Sequence, residues 1–377
     1  MKFTPFLLPS RSGNLGKLEL NNLKALNALN LDIVSCLNDV LSIWKNDKSL
    51  KATMMTGTGD KAFCAGGDVK ALYMDYQNNS SGTKHGYGHG GLLTADFMRT
   101  EYGVNYKIAT QTIPQISIWD GIVMGGGVGV SVHGKYRIAT EKTLFAKPET
   151  AIGLFPDVGG MFWLPRCKGG LGPYIALTGA RLKADDLLYA GIATHYVASD
   201  DLDDLKEALI DATTTEGSNV GSVLMSFHKE IPTNESFLAK HRTEIDYAFE
   251  DKTSMEQIIE QLSQKTESEF CKKTLSTLHR MSPTSLKVTL EGLKRGKSLP
   301  SIKEVLEMEY RMAQAFMRDG SDFYEGVRAQ LVDKDKNPQW NPKTLAEVSN
   351  ETVETYFQHL GDNELVLTSN DEVESKL

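Results

Sequence analysis

Residues Gly121–Gly134 read GIVMGGGVGVSVHG: three apolar residues, three consecutive glycines, then a run of small side chains. Just before them stand QISIW (Gln115–Trp119) and the turn pair Asp120-Gly121. An apolar run broken by Asp-Gly reads as a strand and a tight turn. The second run, Ile122–Met124, then enters Gly125-Gly126-Gly127 ahead of a helix. Three glycines at that junction leave backbone N–H groups uncovered, at the end of a helix where negative charge is favoured. Upstream, KATMMTGTGDKAFCAGGD (Lys51–Asp68) reads as a buried strand breaking into Gly66-Gly67, a second turn with exposed amides. Downstream, KYRIATEKTLFAKPE (Lys135–Glu149) is a further strand region. Two backbone donors from separate turns can together hold the oxygen of a carbonyl that is becoming an anion. Taken alone, each glycine cluster reads first as a structural turn. GGGVG does not follow G-x-G-x-x-G, and no suitable acid follows a second strand, which argues against a dinucleotide site.

Working outward, residues from about Gly13 to Met55 predict strand, helix, strand. NNLKALNALNLDIVSCLNDVLSIWKND (Asn21–Asp47) carries apolar residues at spacings of three and four, as an amphipathic helix requires. YQNNSSGTKHGYGHGGLL (Tyr76–Leu93) is rich in Gly, Ser and Asn and reads as a loop. After Asp200 the texture becomes helical, with few β-branched runs. The expectation is an α/β core over residues 1–200, an α-rich region over 201–361 and a polar tail over 362–377. No fixed-period repeat stands out.

The net charge of −8 argues against a nucleic-acid surface, which needs a basic patch to neutralise phosphate. It leaves room for a small anionic substrate, since a few local cations suffice. No apolar run reaches the ~20 residues needed to cross a bilayer. Cys36, Cys64, Cys167 and Cys271 are scattered without a C-x-x-C pair and read as reduced, packed thiols. His85 and His89, in HGYGHG, lack a third ligand nearby, so no metal is expected. The chain ends Ser375-Lys376-Leu377, a receptor-read peroxisomal address.

Two acids stand out in AKPETAIGLFPDVGG (Ala146–Gly160): Glu149 follows Pro148 and Asp157 follows Pro156, with an apolar stretch between them. They suit an acid–base pair, or a nucleophile with its orienter. Local pattern alone favours two turns set by their prolines. Glu101, in MRTEYGVN (Met98–Asn105), falls on a helix and by itself reads as a solvated surface acid.

Together these stretches resemble the crotonase, or enoyl-CoA hydratase/isomerase, superfamily. The likeness rests on KALNAL (Lys24–Leu29), FCAGGDVK (Phe63–Lys70) and GIVMGGGVGVSVHG in that order. PETAIGLFPDVGG, LTGARLKADDLLYAGIATHYV (Leu177–Val197), MSPTSLKVTL (Met281–Leu290) and DFYEGVRAQLVDKDKNPQW (Asp322–Trp340) resemble its 3-hydroxyacyl-CoA thioester hydrolase branch. The likeness runs from about Gly13 to Gly361. It implies an α/β fold, a spiral of β-β-α turns with an α-helical C-terminal part, and a thioester held at its centre.

The resemblance further implies that Gly67 and Gly126 supply two oxyanion amides, and that Glu101, Gly126, Glu149 and Asp157 contact the substrate. Glu149 and Asp157 are then the catalytic acids, while Lys24, Ala25, Ala65, Gly67 and Asp68 lie along CoA. Hydratases of this superfamily carry a first glutamate where this chain has Gly129 and a second matching Glu149. The broken pair favours thioester hydrolysis over water addition to a double bond, and the resemblance implies that the thioester is 3-hydroxyisobutyryl-CoA or a close 3-hydroxyacyl-CoA, a step of valine catabolism, with no cofactor beyond the CoA of the substrate. The rival readings are an enoyl-CoA hydratase or isomerase and a non-catalytic scaffold subunit. Homo-oligomers occur in the superfamily. The expected location is the peroxisome, from the tail, or alternatively the mitochondrion. The chain departs from the pattern at Leu23, where proline is usual, at Lys147, where an apolar residue is commoner, and in an expanded Gln77–Gly91 loop.

Overall fold

The apolar runs 52–55, Ala62–Cys64 and Gln115–Trp119 form strands that are buried on both faces. The computed structural model describes residues 4–79 and 91–368. Among these, six strands make one sheet and three make another. The larger sheet contains β1 (Leu7–Ser12), β2 (Leu15–Leu20), β3 (Ala52–Gly57), β5 (Gln115–Trp119), β7 (Tyr136–Ala139) and β9 (His195–Tyr196), in that spatial order. The smaller contains β4 (Ala62–Cys64), β6 (Ile122–Met124) and β8 (Leu144–Ala146). β1 and β2 are antiparallel; every other pairing is parallel.

Each turn of the chain gives one strand to each sheet and then a helical segment. β3 and β4 lead into α2 (Val69–Asn79); β5 and β6 lead into α4 (Gly126–Val132); β7 and β8 lead into a short helical turn, Glu149–Ile152. This is the expected spiral of β-β-α turns. The repetition lies in the backbone path, which explains why no sequence period reveals it.

Two local expectations change. The helix anticipated over Asn21–Asp47 is shorter: α1 spans Leu31–Trp44. Asn30 caps it by accepting from the Ile33 N–H. KALNAL is instead a tight turn, with Leu26 and Asn27 at φ 52° and 58°. The buried Asn27 amide holds it by donating to the Thr58 and Ala62 carbonyls and accepting from Asn22 N–H. The loop expected over 76–93 is partly helix, since α2 runs to Asn79 and α3 (Gly91–Thr110) begins at Gly91. The remainder, with His85 and His89, lies outside the described residues.

The C-terminal region is helical and packs against the spiral. One apolar cluster joins Leu18, Phe63, Val123 and Phe155 to Leu286, Tyr310 and Phe323. A second covers the large sheet, where Leu205 and Leu209 meet Met54, Ile116 and Ile138. The two regions also meet tightly behind Glu149. A Cβ on Gly153 (φ 70°) would stand 2.2 Å from the Asp322 carbonyl oxygen, and one on Gly326 would stand 2.3 Å from the Ile152 carbonyl carbon. The helix Asp322–Val327 therefore braces the Glu149 turn. All four cysteines are unpaired, and no described helix is long and apolar enough to cross a membrane.

Candidate active site

Three parallel strands of the small sheet end side by side, and the candidate residues follow their C-terminal ends. β4 and β6 are in register at Cys64 and Val123, β6 and β8 at Met124 and Ala146. Gly67 comes three residues after β4, Gly126 two after β6 and Glu149 three after β8. Ligand sites of parallel α/β sheets form at such ends, because the loops leaving them are free to face a common space.

Each of these two glycines follows a glycine of positive φ: Gly66 (φ 117°) precedes Gly67 and Gly125 (φ 50°) precedes Gly126. That reversal turns the next N–H out of the sheet ladder. Among the described residues neither the Gly67 nor the Gly126 N–H donates to a backbone carbonyl of the turns. The two turns touch: a Cβ on Gly126 would lie 3.2 Å from Gly67 N.

α3 brings Glu101 to the same place. Glu101 is only 2% exposed, which overturns its reading as a surface acid. Its Oε1 has no hydrogen-bond partner. Burial, and then the charge of Asp157, holds its carboxyl well above the usual carboxylate range. The next residue, Tyr102, donates its hydroxyl to Asp157 Oδ2 at 3.0 Å.

Glu149 and Asp157 are joined by a residue that local pattern left without a role. Lys147 is wholly buried; its Nζ lies 2.6 Å from Glu149 Oε1 and 3.5 Å from Asp157 Oδ1. It also donates to the Asp157 carbonyl at 3.1 Å. The contact with Glu149 is an ion pair rather than an aligned hydrogen bond, and Glu149 Oε2 has no partner. Burial pushes Glu149 up to about 7, against the lowering pull of Lys147 and with Asp157 adding to the rise. Burial alone would favour a neutral Lys147, but the Glu149 and Asp157 carboxylates outweigh it and raise its pKa.

The Asp157 turn is held from below. Val158 and Gly159 both take positive φ, 54° and 84°. Glu309, on the helix Ile302–Phe316, accepts from Gly159 N–H at 2.6 Å and Met161 N–H at 2.8 Å. Burial pushes Glu309 up to about 8. His133 Nε2 lies 2.8 Å from the Val158 carbonyl, and burial lowers its pKa to about 4, so the neutral ring donates.

A profile of the enoyl-CoA hydratase/isomerase family matches residues 15–357. The chain belongs to that family. The protein of Xenopus tropicalis named 3-hydroxyisobutyryl-CoA hydrolase, mitochondrial, is 47% identical over 363 residues, which cover 96% of this chain and 90% of that one. The human protein of the same name is 44% identical, covering 95% and 90%. Among solved structures, a carnitinyl-CoA dehydratase from Mycobacterium thermoresistibile has TM-score 0.86 at 36% identity, covering 97% of this chain and 100% of that one. An enoyl-CoA hydratase from Rhodobacter sphaeroides has TM-score 0.84 at 32% identity, covering 96% and 99%.

At Gly129, where the resemblance places a hydratase glutamate, the fold leaves no room for a side chain. A Cβ there would stand 2.5 Å from Val158 Cβ and 3.1 Å from Asn105 Nδ2. Val158 and Asn105 fill the place where a side chain at this position would begin. The proposed CoA residues gather beside the Gly67 turn. The Ala65 N–H donates to Leu26 O and Asp68 N–H to Leu29 O, and Leu29 bridges Gly67. Lys24 is exposed there, whereas the Asp68 carboxylate also accepts from Ala71 N–H at the start of α2. A cavity of about 470 Å³ between α1, α3 and Leu365–Thr368 holds none of these residues. Sequence reasoning gave Tyr102, His133 and Glu309 no role and marked Lys147 only as a departure. Lys147 carried one further signal, a cation directly after an apolar strand; the others carried none.

Proposed function

We propose that the chain hydrolyses the thioester of 3-hydroxyisobutyryl-CoA, or of a close 3-hydroxyacyl-CoA, to the free acid and CoA. The single observation that carries this is one buried glutamate, Glu149, ion-paired to Lys147 with no aligned hydrogen bond on either oxygen, beside two unused backbone N–H groups, with the position of the first hydratase glutamate closed by Val158. The thioester carbonyl would lie between Gly67 and Gly126, whose donors meet the charge that grows on its oxygen. Glu149 Oε2 would either attack the carbonyl carbon, giving an anhydride that water opens, or take a proton from an attacking water. Glu101 Oε1 would accept from the substrate, and Asp157 would orient its hydroxyl or the water. The released CoA carries the thiol proton, so the balance is thioester plus water to acid plus thiol, and no cofactor enters it.

The test is a panel of acyl-CoA substrates with a free-thiol readout. Release of CoA from 3-hydroxyisobutyryl-CoA supports the reading. Thiol release from none of the panel, with loss of the enoyl absorbance of crotonyl-CoA, would replace it with the hydratase reading that the names of the two solved structures favour.

Two lines of support disagree on location. The hydrolase relatives are mitochondrial by name, which favours the alternative location over the peroxisomal one. Ser375, Lys376 and Leu377 lie outside the described residues, and nothing in the relatives supports a peroxisomal import receptor as partner. Immunofluorescence of the untagged chain, with and without those three residues, separates the two addresses.

A further inference from the structure

We propose that Lys147 is a positioning residue of this hydrolysis: its ammonium group fixes the Glu149 carboxylate, and the Asp157 turn beside it, in the arrangement that meets the thioester. The inference rests on the reading of Glu149 as the group that drives hydrolysis.

The geometry is that of a hub. Lys147 leaves the end of β8, and its Nζ reaches Glu149 Oε1 at 2.6 Å, Asp157 Oδ1 at 3.5 Å and the Asp157 carbonyl at 3.1 Å. The ammonium group donates one hydrogen bond, to the Asp157 carbonyl, and holds the two carboxylates as ion pairs. Its side chain is 0% exposed, so bulk solvent does not screen these contacts. Pro148 stands between Lys147 and Glu149 and limits the backbone freedom of the link.

The charges around the hub decide what it does. Glu149 and Asp157 face it from its own stretch and Glu309 from the helix Ile302–Phe316. Glu101 and the Tyr102 hydroxyl, on α3, face Asp157, and the neutral His133 closes the end of α4. One cation thus serves four buried carboxyls. Without it, burial and the neighbouring Asp157 would both press Glu149 towards its protonated form. A protonated Glu149 can neither attack a carbonyl nor take a proton from water. Held on one oxygen by Lys147, Glu149 keeps Oε2 free for the reaction.

The test compares Lys147→Met and Lys147→Arg with the wild type, measuring kcat/KM on 3-hydroxyisobutyryl-CoA from acid to alkaline pH. The acid limb reports the ionisation of the free enzyme's essential base. The methionine variant should carry that limb upward by about one unit or more, a loss of ~10-fold in the acid range that shrinks as pH rises. Arginine should keep the limb near its original place. A methionine variant whose limb does not move overturns the inference, whatever the size of its uniform loss. An inactive wild type removes the hydrolase reading and this inference together; an active wild type with an unmoved limb removes this inference alone. Should the methionine variant not fold well enough for kinetics, thermal unfolding of Lys147→Met, Glu149→Gln and the double variant decides. The lysine change should then lower the midpoint less when Glu149 is already neutral, and equal losses in both backgrounds would overturn the pairing.

Discussion

A Cβ placed on Gly126 would stand 2.4 Å from Glu101 Oε1 and 3.2 Å from Gly67 N. The glycine therefore keeps open the space where an acid from α3 and an amide from the first spiral turn approach one another. Gly126→Ala should fill it. The nearest contact is the tip of a side chain, which can shift, so the fold should survive. The thioester oxygen should lose its approach, and kcat should fall ~10²–10³-fold, the usual effect of losing one oxyanion donor. Kinetics on a variant with native circular dichroism checks this; turnover near the wild-type value would contradict it.

Glu149→Gln keeps the shape of the side chain and removes its charge. Turnover should drop by at least ~10²-fold, the lower end of what a positioned base contributes. The folded state should persist, since burial already disfavours the charged form. A single turnover of the wild type in ¹⁸O water then addresses the route. Label in the Glu149 carboxylate marks an anhydride opened on the enzyme side.

The spiral was legible because its punctuation is local: Asp120-Gly121, Gly66-Gly67 and Gly125-Gly126-Gly127 each end a short apolar run, and the strands stop there. Helical spacing misled at Asn21–Asp47, because the Asn27 amide satisfies a turn through Thr58 and Ala62, partners distant in sequence. Glu101 read as a surface acid because helix periodicity does not reveal what covers the helix. The covering comes from the Gly126 and Asp157 turns and from the helix Ile302–Phe316. Glu309 lies 150 positions from Gly159, with no local pattern to mark it. The role of Glu101 comes only through resemblance, and its Oε1 stays without a partner in the fold, whereas Asp157, already marked by its pairing with Glu149, meets the Tyr102 hydroxyl.

Restoring the missing hydratase acid should not create a hydratase. In Gly129→Glu the new Cβ would meet Val158 at 2.5 Å, backbone-anchored on a turn that Glu309 and His133 already hold. Overpacking of this kind costs about 1–3 kcal/mol, and a further buried carboxyl adds to it. The variant should unfold at lower urea concentration and leave the absorbance of crotonyl-CoA unchanged. Hydration of crotonyl-CoA at native-like stability would show that Val158 yields more easily than its contacts imply.

Glu309 makes the stability of the site depend on pH, and the sign follows from the proton count. An unfolded glutamate titrates near ~4.3; in the fold, burial moves Glu309 up to about 8. Between those values the native state binds more protons than the unfolded state, so stability falls as pH rises, and it is flat with respect to this group outside that window. Glu149, pushed up to about 7, adds a slope of the same sign. Glu309→Gln cannot ionise and should flatten the decline. The amide still accepts one N–H through its oxygen but cannot accept both Gly159 and Met161, so the variant should start less stable at pH 5. Its disadvantage should shrink towards pH 8, because both proteins lose the Glu149 share but only the wild type also loses the Glu309 share. Urea midpoints at pH 5, 6.5 and 8 measure the difference. Two parallel lines would mean that Glu309 keeps its charge state across the range and that the two amides, not burial, set its ionisation.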